Sequence, residues 1–343
     1  MAHPLHKPRR SPAMYVLSFL LAALPAAEVA PPPHPAEVSA ADVRRAVERS
    51  LPFVEKSSAT WRAGSKCVTC HQVPFAVWAH NEAKSRGVEV DAAKLDDLSG
   101  WAFNFCATNA EASATASTTF MVLSQTATAP SADVLKTYAL FEKALAKRQK
   151  PDGSWREGRQ IRIEGAEREA DEVDTMWTLL AIKSLDRLGD KLSAETRKGL
   201  ESERNKGLAF LKAAKPGRRI DWLALRVLVA KEYETAELAK QLLRELRAEQ
   251  NADGGWGYVR GGQSYAHTTG ECLYCLGEMG FGESDPGVRK AWKHLVNTQH
   301  SAGWWQSRTR ETFSTKPELV RATSIHWGTA WATIGLLHTL PAK

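Results

Sequence analysis

Strand signals are scarce in this chain of 343 residues. Stretches that alternate apolar and polar residues between turn signals hardly occur, which leaves an all-α class. Long apolar runs are missing as well. The run Met14–Leu24 near the N-terminus is too short to span a bilayer comfortably, and no later stretch is a candidate. Strong charge of one sign is also absent. The formal charge is +7, from 46 basic and 39 acidic residues, but Lys7, Arg9 and Arg10 precede the apolar run; without them the count is 43 against 39. A balance so mild and so evenly spread excludes nucleic acid as a partner. Cysteine is sparse: of five residues, Cys67 with Cys70 and Cys272 with Cys275 form two C-x-x-C pairs, and Cys106 stands alone.

The N-terminus reads as an address. Basic residues 7–10, the apolar run and the small residues Pro25-Ala-Ala27 form a secretory signal over residues 1–27. No clean Ala-x-Ala precedes Glu28, so an uncleaved N-terminal anchor is the alternative. Residues 28–39, with four prolines, form a linker. The expected location is periplasmic or secreted.

Beyond residue 40 the chain repeats itself. Gln250, Gly254 and Trp256 lie in a turn that follows the amphipathic run Leu242, Leu243, Leu246 and precedes a helical run from His267 to Met279. Gln149, Gly153 and Trp155 repeat that turn, and a third copy is read at Gln299, Gly303 and Trp304. The Gln amide can satisfy backbone groups left open at a helix end, the Gly admits a backbone conformation closed to other residues, and the Trp packs back across the turn. Self-similarity at a fixed period marks a repeat architecture. The spacing predicts twelve helices in six pairs. Outer helices are expected near 40–56, 91–107, 131–149, 193–213, 235–250 and 286–299, and inner ones near 70–86, 113–126, 173–189, 221–233, 266–280 and 324–339. The fourth unit is degraded, with Lys-Pro-Gly-Arg-Arg at 215–219 in place of the Gln turn.

These turns resemble the Gln-Trp repeat of squalene–hopene cyclases, and the stretch 250–280 is also similar to protein prenyltransferase beta subunits. The resemblance implies a closed (α/α)6 toroid over residues 40–343: six helical hairpins, with an inner barrel of helices inside an outer one. It also implies that chemistry gathers near the starts of the inner helices, where an apolar small molecule would bind. Those starts carry Cys67–His71, Asp171-Glu-Val-Asp174-Thr175, Asp221-Trp222, His267-Thr268 and His326-Trp327. Each has a plainer reading, since Asp and Thr cap helices and a lone His is usually just hydrogen-bonded. Cyclases of this class use Asp-x-Asp-Asp-Thr, whose central Asp protonates an alkene. Aligned on Asp174-Thr175, that position holds Val173, which argues against hopene-type cyclisation. The zinc site of prenyltransferases fares no better: Asp221 and His267 fit, but Leu223 stands where the Cys belongs. Trp78, Trp177, Trp222, Trp327 and Trp331 all fall on inner helices, where they either pack the core or line an apolar cavity.

Cys67-Val-Thr-Cys70-His71 matches the haem c attachment pattern. On a helical turn both thiols face one edge of a macrocycle and the following imidazole reaches the iron. Export agrees with this, and a disulfide or half of a metal site are the other readings. The expectation is covalent haem c on Cys67, Cys70 and His71, with His326, His267 and Met176 as distal candidates in that order. The preferred function is electron transfer or haem-assisted oxidation of a hydrophobic, isoprenoid-like molecule, with a redox partner. The alternatives are a non-catalytic binding toroid with a Cys67–Cys70 disulfide, and a divergent isoprenoid-processing enzyme that uses Asp174.

Overall fold

A computed structural model describes residues 37–65, 68, 72–109, 115–125, 132–155, 167–307 and 317–341. The chain divides into Met1–Pro35 and Ala36–Lys343, and every described residue lies in the second unit. The expected leader falls outside the described residues, as do Cys67, Cys70 and His71.

Helices alternate between two positions around a ring. The outer set is α1 (Ala40–Ser65), α3 (Ala92–Thr108), α5 (Ala132–Arg148), α7 (Ala194–Leu211), α9 (Ala236–Ala248) and α11 (Pro286–Thr298). The inner set is α2 (Val73–Ser85), α4 (Thr115–Leu123), α6 (Glu167–Asp186), α8 (Ile220–Tyr233), α10 (Ala266–Glu278) and α12 (Pro317–Thr339). Each inner helix packs on the next, α2 on α4 through to α10 on α12, and α12 packs back on α2, so the inner ring is closed. The first and last outer helices, α1 and α11, also meet. Among the described residues β-structure amounts to two isolated bridges, Arg219 with Val259 and Gly257 with Ser264.

The elements follow from their sequences. On α9, Ala239, Leu242, Leu243 and Leu246 recur at helical spacing, and all four are buried. The inner helices are buried nearly all round, as helices enclosed by a second barrel must be. The tightest pair is α10 with α12, which approach through glycine: a Cβ on Gly335 would overlap the Gly270 carbonyl. Five outer helices begin on a side-chain cap: Ser39, Asp91, Ser193, Thr235 and Asp285 each accept from a backbone N–H of the first turn. The inner helices α2, α8 and α10 begin at Gln72, Arg219 and Tyr265 with no such cap. Their N-terminal N–H groups and positive dipole ends are thus turned toward one end of the ring.

The repeated turn joins neighbours. Gln149, Gln250 and Gln299 each donate to the carbonyl of their own turn glycine, at 3.0, 2.8 and 3.1 Å. The second amide hydrogen goes to the next outer helix: to Glu203 of α7, Gly287 of α11 and Ala46 of α1, each at 2.8 Å. The glycines sit at φ +89°, +90° and +86°, and a Cβ there would overlap a carbonyl of that same next helix. The indole N–H of Trp155 and Trp256 donates back to Leu145 and Leu246, while each Trp backbone N–H is held by an inner-helix hydroxyl, Thr175 or Thr269. In the third turn the equivalent residue is Trp305, which bonds Leu295 and Thr329 in the same way. Trp304, to which the sequence reading gave that part although it stands one residue too near Gly303, instead stacks on His300 with ring centroids 4.1 Å apart.

Candidate functional site

The bore of the ring has three levels, set by residues recurring at helical spacing on the inner helices. The middle level is aromatic. Phe75 and Trp78 of α2, Phe120 of α4, Trp177 of α6, Tyr274 of α10 and Trp331 of α12 are buried and packed on one another. Trp177 and Trp331 come from opposite helices of the ring, yet their centroids are 5.4 Å apart. Side chains thus fill the bore across its width here. Each such pair adds about 0.5–1.5 kcal/mol beyond its buried area.

One turn toward the helix N-termini the bore turns polar, and this mouth is the candidate site. Asp174 precedes Trp177 by three residues and is buried. It lies well inside α6, because that helix begins at Glu167 and not near 173. The degraded fourth turn delivers Arg219 to the mouth. Its guanidinium lies wholly buried against Asp221, with Nε 2.8 Å from Oδ1 and a second contact from Nη2 to Oδ2, and Tyr258 lies under it with the ring centroid 5.0 Å away. The Arg219 backbone N–H donates to Glu169 at 2.6 Å, and the Trp222 indole donates to Glu172 at 2.7 Å. Asp221 is thereby held by Arg219 through both oxygens and by the Trp222 backbone N–H through Oδ1.

His267 is buried, with Nδ1 3.1 Å from the Ser307 hydroxyl, Nε2 3.2 Å from the Thr268 hydroxyl, and Trp327 stacked on its ring at 5.1 Å. His326 is buried too and donates from Nε2 to the Gln72 carbonyl at 3.0 Å. The sequence reading missed Glu271, one turn beyond His267. Burial holds its carboxyl well above the usual range; Asp221 pushes it further the same way, and Arg219 only partly opposes them. The available signal was an acid on the stripe that carries His267 and Tyr274.

The opposite mouth is ionic. His338 donates to Glu278 at 2.8 Å and lies 3.6 Å from Glu82, and these three border a cavity of about 60 Å³ with Lys183, Arg187 and Glu232. The two carboxylates raise His338 to about 9 against the effect of burial, and His338 and Lys231 lower Glu278 to about 2.

Residues 217–342 match the squalene-hopene cyclase C-terminal domain. A probable squalene–hopene cyclase from Sinorhizobium fredii is 35% identical over 92 residues, which is 27% of this chain and 14% of that protein's length. Among solved structures, the type II terpene cyclase MstE from Scytonema, held with geranylgeranyl dihydroxybenzoate as substrate, matches at TM-score 0.52 and 11% identity over 89% of this chain and 99% of its own. A possible member of the GH105 family from Salmonella enterica matches at TM-score 0.55 and 12% identity over 88% and 94%. The fold is therefore a cyclase-like, all-α toroid. Identities this low convey the fold alone, since one fold serves many chemistries.

The haem c expectation is corrected by these findings. The family model that residues 217–342 match is that of squalene–hopene cyclases, and terpene cyclases need no haem. Both proposed distal histidines are engaged inside the protein, His326 by Gln72 and His267 by Ser307 and Thr268. Among the described residues no three His, Cys, Asp or Glu side chains gather to hold a metal ion. A pattern with three fixed positions matches by chance often enough to mislead on its own.

Proposed function

We propose that the toroid binds an elongated apolar, isoprenoid-like molecule at the N-terminal mouth of the inner ring and does not cyclise it by protonating an alkene. The observation that carries this reading is the layering of the bore, a buried aromatic floor of Phe75, Trp177 and Trp331 beneath a ring of buried polar groups. Such a surface takes an apolar body on one side and fixes a polar end on the other. The match to the cyclase C-terminal domain supports the same ligand class. Val173, at the position of the cyclase acid, is buried and carries no proton to give. Glu271 does not replace it: a carboxyl held neutral by burial is a weaker acid than usual, and alkene protonation demands a stronger one.

The same reading keeps residues 1–27 as an export leader and 28–39 as a linker ahead of the toroid, checked by N-terminal sequencing of the mature protein. The function is tested by extracting lipid from the purified protein and by incubating it with squalene and with a geranylgeranylated phenol, followed by mass spectrometry. Isoprenoid should be retained and recovered unchanged. A cyclised product, or no retention of any isoprenoid, would overturn the reading.

A further inference from the structure

The indole N–H of Trp331 on α12 has no hydrogen-bond partner among the described residues, and one turn nearer the mouth the same holds of Glu271 Oε2 of α10 and Trp327 Nε1 of α12. Glu271 and Trp327 are more than nine-tenths buried, at 5% and 9% exposed. They stand at one level of the bore. Glu271 precedes Tyr274 by three residues and Trp327 precedes Trp331 by four, and those two rings pack with centroids 6.0 Å apart. Trp327 lies on the imidazole of His267, one turn from Glu271, between the two closest-packed helices of the ring. Leaving such groups unpaired in the interior is costly, so their pairing is completed by something that enters.

We propose that Glu271 and Trp327 dock the neutral oxygen, a hydroxyl or carbonyl, at one end of the apolar ligand, an inference that rests on the isoprenoid-binding reading above. The chemistry of the two groups selects that class. The Trp327 indole only donates, so it cannot serve an ammonium. An anion would meet the buried carboxyls of Glu169, Glu172, Asp174 and Asp221, with Arg219 already committed to Asp221. Burial, with Asp221 beside it, favours the neutral form of Glu271, which offers both an O–H and an acceptor oxygen. A neutral oxygen can take the indole hydrogen bond and exchange another with the carboxyl.

The test is titration of the intact protein, by calorimetry or tryptophan fluorescence, with geranylgeraniol, geranylgeranylamine and the matching isoprenoid hydrocarbon. The alcohol should bind about tenfold more tightly than the other two, the scale of one well-made hydrogen bond. Glu271→Leu and Trp327→Phe should each reduce that preference to about twofold or less and leave hydrocarbon affinity unchanged. Glu271→Gln, which keeps a donor and an acceptor, should retain most of it, and melting curves identify any variant that fails to fold. Equal binding of alcohol and hydrocarbon, tightest binding of the amine, or a preference that survives in Trp327→Phe or in a folded Glu271→Leu overturns the proposal. Binding of none of the three overturns the isoprenoid reading itself, and this inference with it.

Discussion

His338 shows how far one side chain's state depends on its neighbours. It is buried between Glu82 and Glu278, packed on Tyr274 with centroids 4.7 Å apart, with Lys183, Arg187, Lys231 and Glu232 close by. Its folded value of about 9 lies above the ordinary 6.5. The stabilisation from that shift is therefore complete below about pH 6.5 and is lost as pH rises through 9. Glu278, lowered to about 2, contributes above about pH 4.5 and loses its contribution as pH falls toward 2. The pair thus favours folding most between about pH 4.5 and 6.5. Replacing His338 by Gln should flatten the decline between pH 6.5 and 9, a difference on the order of 3 kcal/mol across the window. Urea unfolding midpoints across that range provide the check, and parallel curves for wild type and variant would refute the assignment. Nothing in the spacing of the chain singled out His338. Helical period gives the face on which a residue lies, but not which residues of other helices face it across a ring.

Elements were far more legible than pairings. The Gln–Gly–Trp period placed both ring positions and nearly every helix, because each turn is a local device whose parts lie within a few residues of one another. Errors came where the chain leaves the period. Helix α1 runs on to Ser65, and α6 and α12 start several residues early, at Glu167 and Pro317. Trp304 and Trp305 are adjacent, and the Gly-x-Trp spacing of the other two turns points to Trp305, the residue that makes the bond to Leu295. The amide of Gln299 also does more than close a helix end, since it joins α11 to α1 through Ala46. Gln299→Ala removes that bond and the one to Gly303, leaving two carbonyls to find other donors. The expected cost is about 1–3 kcal/mol, with a similar loss for Gln250→Ala, whose amide joins α9 to α11. Equilibrium denaturation measures both. A change below about 0.5 kcal/mol in either would mean that the turn is held by the Trp and Gly alone, and that the Gln is dispensable.

Closure is a property of the whole molecule. Its inner helices bury their apolar faces only against neighbours, so an open ring would expose a helix flank at each end. Here α12 packs on both α1 and α2, and the Gln299 amide repeats across that seam the bond made at two other junctions. The seam is thus built like an interior junction, and the position of a chain break should matter little to the fold. The start of α1 and the end of α12 also lie close together. Arg44 donates to the Arg86 carbonyl at 3.0 Å, and Arg86 donates to the Leu340 carbonyl at 2.8 Å. A short glycine–serine linker from Leu340 to Val38, with new termini opened between Glu234 and Thr235, should therefore give a folded circular permutant. Its helical circular dichroism should match that of residues 38–340 in their natural order, with one cooperative melting transition within several degrees. Deleting α1, by contrast, strips a flank from α12 and α2 and should abolish cooperative melting. If the permutant fails to fold while the α1 deletion melts cooperatively, the ring is held by its sequential contacts, and the α12-to-α1 seam is not the junction that its hydrogen bonds describe.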